Sequence, residues 1–207
     1  IDSNPLEMTL SGEELLQIEQ ILDDNERIKA YSKRIRFGGM LSNLDKTISL
    51  RLTAVIPEME GETCPGLPKR ILNRTSEDPQ FLKPGEVLVP ENLAKGLDFE
   101  VGSDVVLVAT NKDGSVNGIN LRVGGISENL FGPTGKDAYI HLDDARILLR
   151  IEGDEIGEIA IKLKRFNTLK SVFQDLNAAV GWMFTSEGQP IAEVHTWEQL
   201  TPFKSVA

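Results

Sequence analysis

Cysteine is almost absent: Cys64 is the single one in 207 residues. No intrachain disulfide can form, and cysteine usage does not report the redox compartment. Cys64 reads as a small buried or loop residue. Histidine is nearly as scarce. His141 and His195 are the only two; each sits at the end of an expected strand, with no Cys or His partner at ligand spacing. Neither a metal nor a cofactor is expected. Basic charge is the minority sign, 22 Lys and Arg against 32 Asp and Glu, and the formal net charge of −10 sets up a field that repels phosphate backbones. Nucleic acid is therefore excluded as a partner. Long apolar runs are missing too: Val105 to Ala109 is strand-length, against the roughly 18 consecutive apolar residues of a membrane span. The opening residues, IDSNPLEMTLSGEE, lack the basic flank and apolar centre of a signal peptide and begin with Ile. The chain reads as a fragment or processed form whose anchor lies outside it.

Catalytic signatures are also missing. Gly38-Gly39 and Gly124-Gly125 belong to neither a GxxxxGK[ST] nor a GxGxxG pattern, and no GxSxG elbow occurs. Asp143 and Asp144 could imitate a carboxylate pair, but adjacent residues at a helix start diverge, and helix capping accounts for them better. Asn73-Arg74-Thr75 fits the glycosylation pattern, which is too short to carry weight. The expectation is a protein without catalytic residues.

What remains is a foldable chain, 40% hydrophobic and 26% charged, in three blocks. In residues 1–62, Ser11 and Glu14 have the spacing of a capping box ahead of Leu15, Ile18 and Leu22, which predicts a helix over 12–24. Two strands follow, 28–37 and 47–56, joined loosely through 38–43. Residues 63–152 open with Pro65, Gly66, Pro68, Pro79, Pro84 and Gly85, a boundary signal. A strand over 86–89 then leads into a short helix opened by Pro90 and ended by Gly96. A hairpin turns at Asp113-Gly114, and a strand over 138–141 precedes a helix capped by Asp143. Residues 153–207 predict a strand over 156–163, a helix of about five turns from Leu169 to near Gly188, and a last strand over 191–195. The outer blocks are each too small for a convincing core, so they are expected to share one sheet, with the middle block inserted as a separate domain.

The run from Val89-Pro90-Glu91-Asn92-Leu93-Ala94 through GLDFEVGSDVVL (96–107), the hairpin, Gly124-Gly125-Ile126 and YIHLDDARILL (139–149) resembles the extracytoplasmic domain of MacB/LolC/LolE-type, FtsX-like ABC transporter permeases. FGGMLS (37–42) with VIPEME (55–60), and THR-TRP-GLU-GLN-LEU-THR-PRO at 196–202, are similar to further runs of that family. The resemblance implies an α+β fold: a discontinuous porter-like α/β part, 1–62 and 153–207, with an inserted β-rich Sabre-like domain, 63–152. It implies a non-catalytic domain on the periplasmic or extracytoplasmic face of the bacterial inner membrane. There it would couple cytoplasmic ATP hydrolysis to movement or release of a lipoprotein, peptide or small amphiphile. The implied partners are transmembrane helices of the same full-length permease, an ATP-binding cassette subunit or domain on the cytoplasmic side, and a second permease copy or paralogue forming a dimer. Two departures stand out. Ala54-Val55-Ile56-Pro57 replaces the family's G-V-D-P, and the hairpin at 111–118 lacks the long arm with which LolC recruits its lipoprotein chaperone. Trp182, Trp197 and Phe203 are the candidate contact or membrane-edge residues, with burial in the core as the alternative for the two tryptophans. An enzyme domain on a double-psi-like β-barrel and a free-standing periplasmic adaptor are the other readings.

Overall fold

A computed structural model describes residues 10–74, 80–129, 137–185 and 188–200. The first helix, α1 (Gly12–Asp23), buries Leu15, Ile18 and Leu22, as their spacing predicts. Ser11 does not cap it through its side chain. The chain enters the helix through Gly12 at φ +56°, so the hydroxyl is not carried over the first turn, and the Gly12 N–H donates to Asp154 Oδ1 at 3.3 Å instead.

Strand β1 (Ile28–Ser42) pairs antiparallel with β2 (Thr47–Val55). The expected loose joint at 38–43 is mostly strand, because Gly38, Gly39 and Met40 pair with Arg51, Leu50 and Ser49. Gly39 serves close packing rather than looseness: a Cβ there would lie 2.9 Å from Leu52 Cδ1 and 3.0 Å from the Val108 carbonyl. At 15 residues, β1 spans about 50 Å, and its two halves have different neighbours. Ile28 to Arg34 pair with β8 (Glu158–Leu163), while Met40 to Ser42 pair with β5 (Asp104–Thr110).

The remaining elements close a barrel. After α2 (Pro57–Thr63) and the short β3 (Ile71–Arg74), β4 (Glu86–Pro90) leads into α3 (Glu91–Leu97). The hairpin of β5 and β6 (Val116–Ser127) is followed by β7 (Asp137–His141) and α4 (Leu142–Leu149). Pairing runs β1–β2, β2–β7, β7–β4, β4–β6, β6–β5 and back from β5 to β1, with β2–β7 and β4–β6 parallel and the rest antiparallel. The ring maps onto itself when the β1–β2 hairpin is exchanged with β5–β6 and β4 with β7. The two crossover helices end alike: Asp98 (φ +55°) and Arg150 (φ +54°) are left-handed, and Phe99 and Ile151 each donate five residues back, to the Ala94 and Arg146 carbonyls. Gly96 therefore does not end α3; Asp98 does, Asp being one of the side chains that tolerate this conformation. Nor does Asp143 cap α4. His141 is the cap, its Nδ1 accepting from the Asp143 N–H at 3.2 Å.

Apolar residues collect in two main clusters. One fills the barrel, taking Ile35, Phe37, Leu41, Leu50, Leu52 and Ala54 from β1 and β2 together with Val87, Leu107, Val123, Ile140 and Leu148 from later elements. Hydrogen bonds and core thus cross position 62. The other cluster holds α1, the start of β1 at Ile28, Ile156, and α5 (Leu169–Val180) through Val172, Leu176 and Val180. Helix α5 is shorter than its periodicity predicts. It stops at Gly181, and Met183 joins the same cluster beyond the helix end, its carbonyl accepting from the Ile191 N–H. The strand expected over 191–195 is not formed. Ile191 is buried on this cluster, but pairing is limited to a bridge between Phe184 and Pro190, since proline brings no N–H to a ladder.

Candidate functional site

Where β1 passes from one cluster to the other, it carries Arg34. Alternation along the strand puts Ser32 and Arg34 on one face, the face against which α2 lies. Helix α2 begins with Pro57, whose fixed φ suits a first turn, and it directs Glu60 at the strand. The guanidinium grips that carboxylate with both ends of its fork, Nε to Oε2 at 2.9 Å and Nη2 to Oε1 at 2.7 Å. Nη1 reaches Glu158 Oε1 at 3.1 Å, so one arginine joins α2 to β8. Arg36 meets the same Glu158 oxygen at 3.2 Å, and Arg34 Nη2 lies 3.2 Å from Cys64 Sγ. Glu60 is 1% exposed and the Arg34 side chain 11%.

The electrostatics follow from this burial. For Arg34, loss of solvent works against the charge, but the hydrogen bonds and charge of Glu60 outweigh it and hold the guanidinium protonated. For Cys64, burial first and the neighbouring Glu60 second push the thiol up, against the opposing pull of Arg34. The Tyr139 hydroxyl is pushed up in the same way, by burial and then by Glu60. Two hydroxyls in this region, Ser32 Oγ on β1 and Thr63 Oγ1 at the end of α2, are buried without a hydrogen-bond partner among the described residues. An ion-paired, largely buried arginine of this kind carries no reactive group. What it can do is fix the angle between the elements it joins.

The residues singled out from the sequence lie elsewhere. Trp182, just past α5, is 66% exposed, and Trp197, opening the short helix α6 (Trp197–Leu200), is 57% exposed. Neither is the buried core aromatic of the alternative reading. Phe203 lies outside the described residues. Asp143 and Asp144 part company as expected: Asp143 is exposed, whereas Asp144 is buried and accepts from the Gly85 N–H at 2.8 Å. Sequence reasoning passed over Arg34 and Glu60. The available signal was VIPEME itself, where a proline at a strand end sets Glu60 on the first turns of a helix, preceded by a strand that alternates a basic residue into the same layer.

No protein-family model and no curated protein matches this chain. Solved structures do. The periplasmic region of MacB from Actinobacillus actinomycetemcomitans superposes with a TM-score of 0.53 at 15% identity, covering 79% of this chain and 72% of that one. The extracellular domain of the noncanonic ABC-type transporter YknZ from Gram-positive bacteria gives a TM-score of 0.56 at 10% identity, covering 84% and 85%. A domain assigned to a permease protein from Porphyromonas gingivalis gives 0.51 at 14% identity, covering 77% and 68%. The chain shares a mixed helix-and-strand fold with these domains, two of which are a periplasmic region and an extracellular domain. No helix among the described residues is long and apolar enough to cross a membrane.

Proposed function

We propose that this chain is the extracytoplasmic domain of an ABC-type export permease and that it transmits motion rather than performing chemistry. The observation that carries the reading is the shared fold over most of the chain with domains of transporters from three bacterial sources. In this reading the domain stands on transmembrane helices of its own full-length permease, outside the cell membrane. An ATP-binding cassette subunit or domain works from the cytoplasmic side, and a second permease copy or paralogue completes the assembly. The substrate class is a lipoprotein, peptide or small amphiphile. In this reading the Sabre-like part is the barrel, to which the inserted block 63–152 contributes most strands and 1–62 contributes β2 and the far half of β1, and the porter-like part is the α1–β8–α5 layer with the start of β1.

Strand β1 runs through both parts, and Arg34 sits at the changeover, bound to α2 on one side and to β8 on the other. A tilt of the helices beneath the porter-like part would reach the barrel through this strand and its ion pairs, because packed elements move as units rather than deforming continuously.

The test is made on the protein from its natural gene. It should sediment with membranes, residues 10–200 should be cut by protease added outside spheroplasts, and it should copurify with an ATP hydrolase whose rate changes in the Arg34→Ala variant. Recovery in the soluble fraction, or protection of the domain from external protease, would overturn the reading. The barrel closure is a feature of the enzyme alternative as well, but a barrel by itself assigns no reaction.

A further inference from the structure

The fold gives no reason for leucine at position 44. The residue lies in the turn between β1 and β2 with φ +78°, a conformation that suits Gly or Asn and strains a leucine. Its side chain is 89% exposed, so burial does not compensate. The turn is nonetheless held firmly. Ser42 Oγ accepts from the Leu44 N–H at 3.1 Å, Asn43 Oδ1 accepts from the Lys46 N–H at 2.9 Å, and Asn43 Nδ2 donates to the Leu97 carbonyl at 3.0 Å. Lys46 forms an ion pair with Asp98. An apolar side chain is thus presented to solvent on a rigid tip tied to the end of α3. Observed strain of this sort at an exposed position is a pointer to function.

The same end of α3 walls an open groove of about 320 Å³ between that helix and β3. Its floor includes Ala94, Phe99 and Ile126, and its rim carries Glu91, Asp98 and Glu100. Lys95 and Lys46 engage Glu91 and Asp98, which leaves the rim acidic through Glu100 on a chain with a net charge of −10. An apolar knob and a groove with an apolar floor and a charged rim, whose acid without an ion pair among the described residues is Glu100, are therefore linked through Asp98. We propose that together they form one docking surface for a separate protein, whose contacting segment brings apolar side chains flanked by Lys or Arg and offers Leu44 an apolar recess. Charge complementarity fixes the sign of the partner's flanks, and removing Leu44 from water supplies apolar burial beside the groove.

The test does not depend on the transporter reading. In the full-length protein with Cys64→Ser, single cysteines are placed by Leu44→Cys, Glu100→Cys and, as an exposed control on α4, Ile147→Cys, and N-ethylmaleimide labelling is compared between intact cells and purified protein. The first two should label several-fold more slowly in cells, while the control labels alike in both. Adding Leu44→Asn to the Glu100→Cys protein should abolish that protection and, in purified protein, raise Tm by relieving the turn. Equal labelling of the first two in cells and in purified protein would overturn the proposal, as would a fall in Tm with Leu44→Asn, which would mean that the leucine serves the fold. Protection that persists in vesicles holding only the purified protein would assign the surface to lipid or to a second copy, and would overturn it too.

Discussion

Arg34 and Glu60 are bound through two parallel hydrogen bonds, at 2.9 and 2.7 Å, in a place where the carboxylate is 1% exposed. Because both charges are desolvated, the pair matters most for what happens when half of it is removed. Glu60→Ala leaves a buried guanidinium with Glu158 as its remaining carboxylate, and the expected loss is about 3 to 5 kcal/mol, read from urea unfolding. Replacing both together, Arg34→Met with Glu60→Leu, should recover most of that loss. A double variant as unstable as Glu60→Ala would show that the pair itself holds the fold.

Cys64 predicts an alkaline weakness. Burial and Glu60 raise its thiol above the ordinary value, so the folded protein keeps the proton where the unfolded chain gives it up. The contribution is fully present below the unfolded value, about 8.5, and is lost as pH rises from there through the folded value. Stability measured from pH 7 upward should therefore fall beyond about 8.5, and Cys64→Ser should flatten the early part of that fall. Iodoacetamide should modify Cys64 more slowly than a free thiol, with its rate profile displaced to higher pH.

The barrel predicts how the chain can be cut. Residues 63–152 alone would lose β1 and β2, exposing the edges of β5 and β7 and removing Ile35, Phe37, Leu41, Leu50, Leu52 and Ala54 from the core. Such a fragment should be unfolded or aggregated by circular dichroism and size exclusion, while 34–152 should melt cooperatively. A folded, monomeric 63–152 would mean that the barrel can close without these strands.

Much of this architecture was legible in the sequence, and the failures have physical causes. Proline and capping signals at Pro90 and Asp143 located the two crossover helices, the Asp113-Gly114 turn located the β5–β6 hairpin, and periodicity located α1. It misread Gly38-Gly39 as a loose joint, since nothing local reveals that Gly39 is small to admit Leu52 and the Val108 carbonyl. It overextended α5 because Met183 keeps the apolar spacing while leaving the helix. The Arg34–Glu60 pair was hidden for a different reason: its partners lie 26 positions apart, and a charged residue on a strand reads as solvent-facing until the helix covering it is known. Leu44 was invisible because strain is a property of φ, which no composition rule reports.

The short helix α6 supplies the last prediction. Trp197 opens α6 and is 57% exposed, with Leu200 also exposed at the end of that helix. If α6 lies at the membrane edge of the full-length permease, an indole here can lie at headgroup level with its ring half-buried and its N–H wet. A tryptophan plugging the core would cost about 3 to 5 kcal/mol on truncation. At this exposure, Trp197→Ala should lower the stability of the domain by about 1 kcal/mol or less, yet alter ATP hydrolysis by the intact complex in a bilayer. Melting and hydrolysis are to be measured on the same substitution. Unchanged melting with changed hydrolysis supports the membrane-edge role, and a loss of several kcal/mol in the domain would return Trp197 to the core.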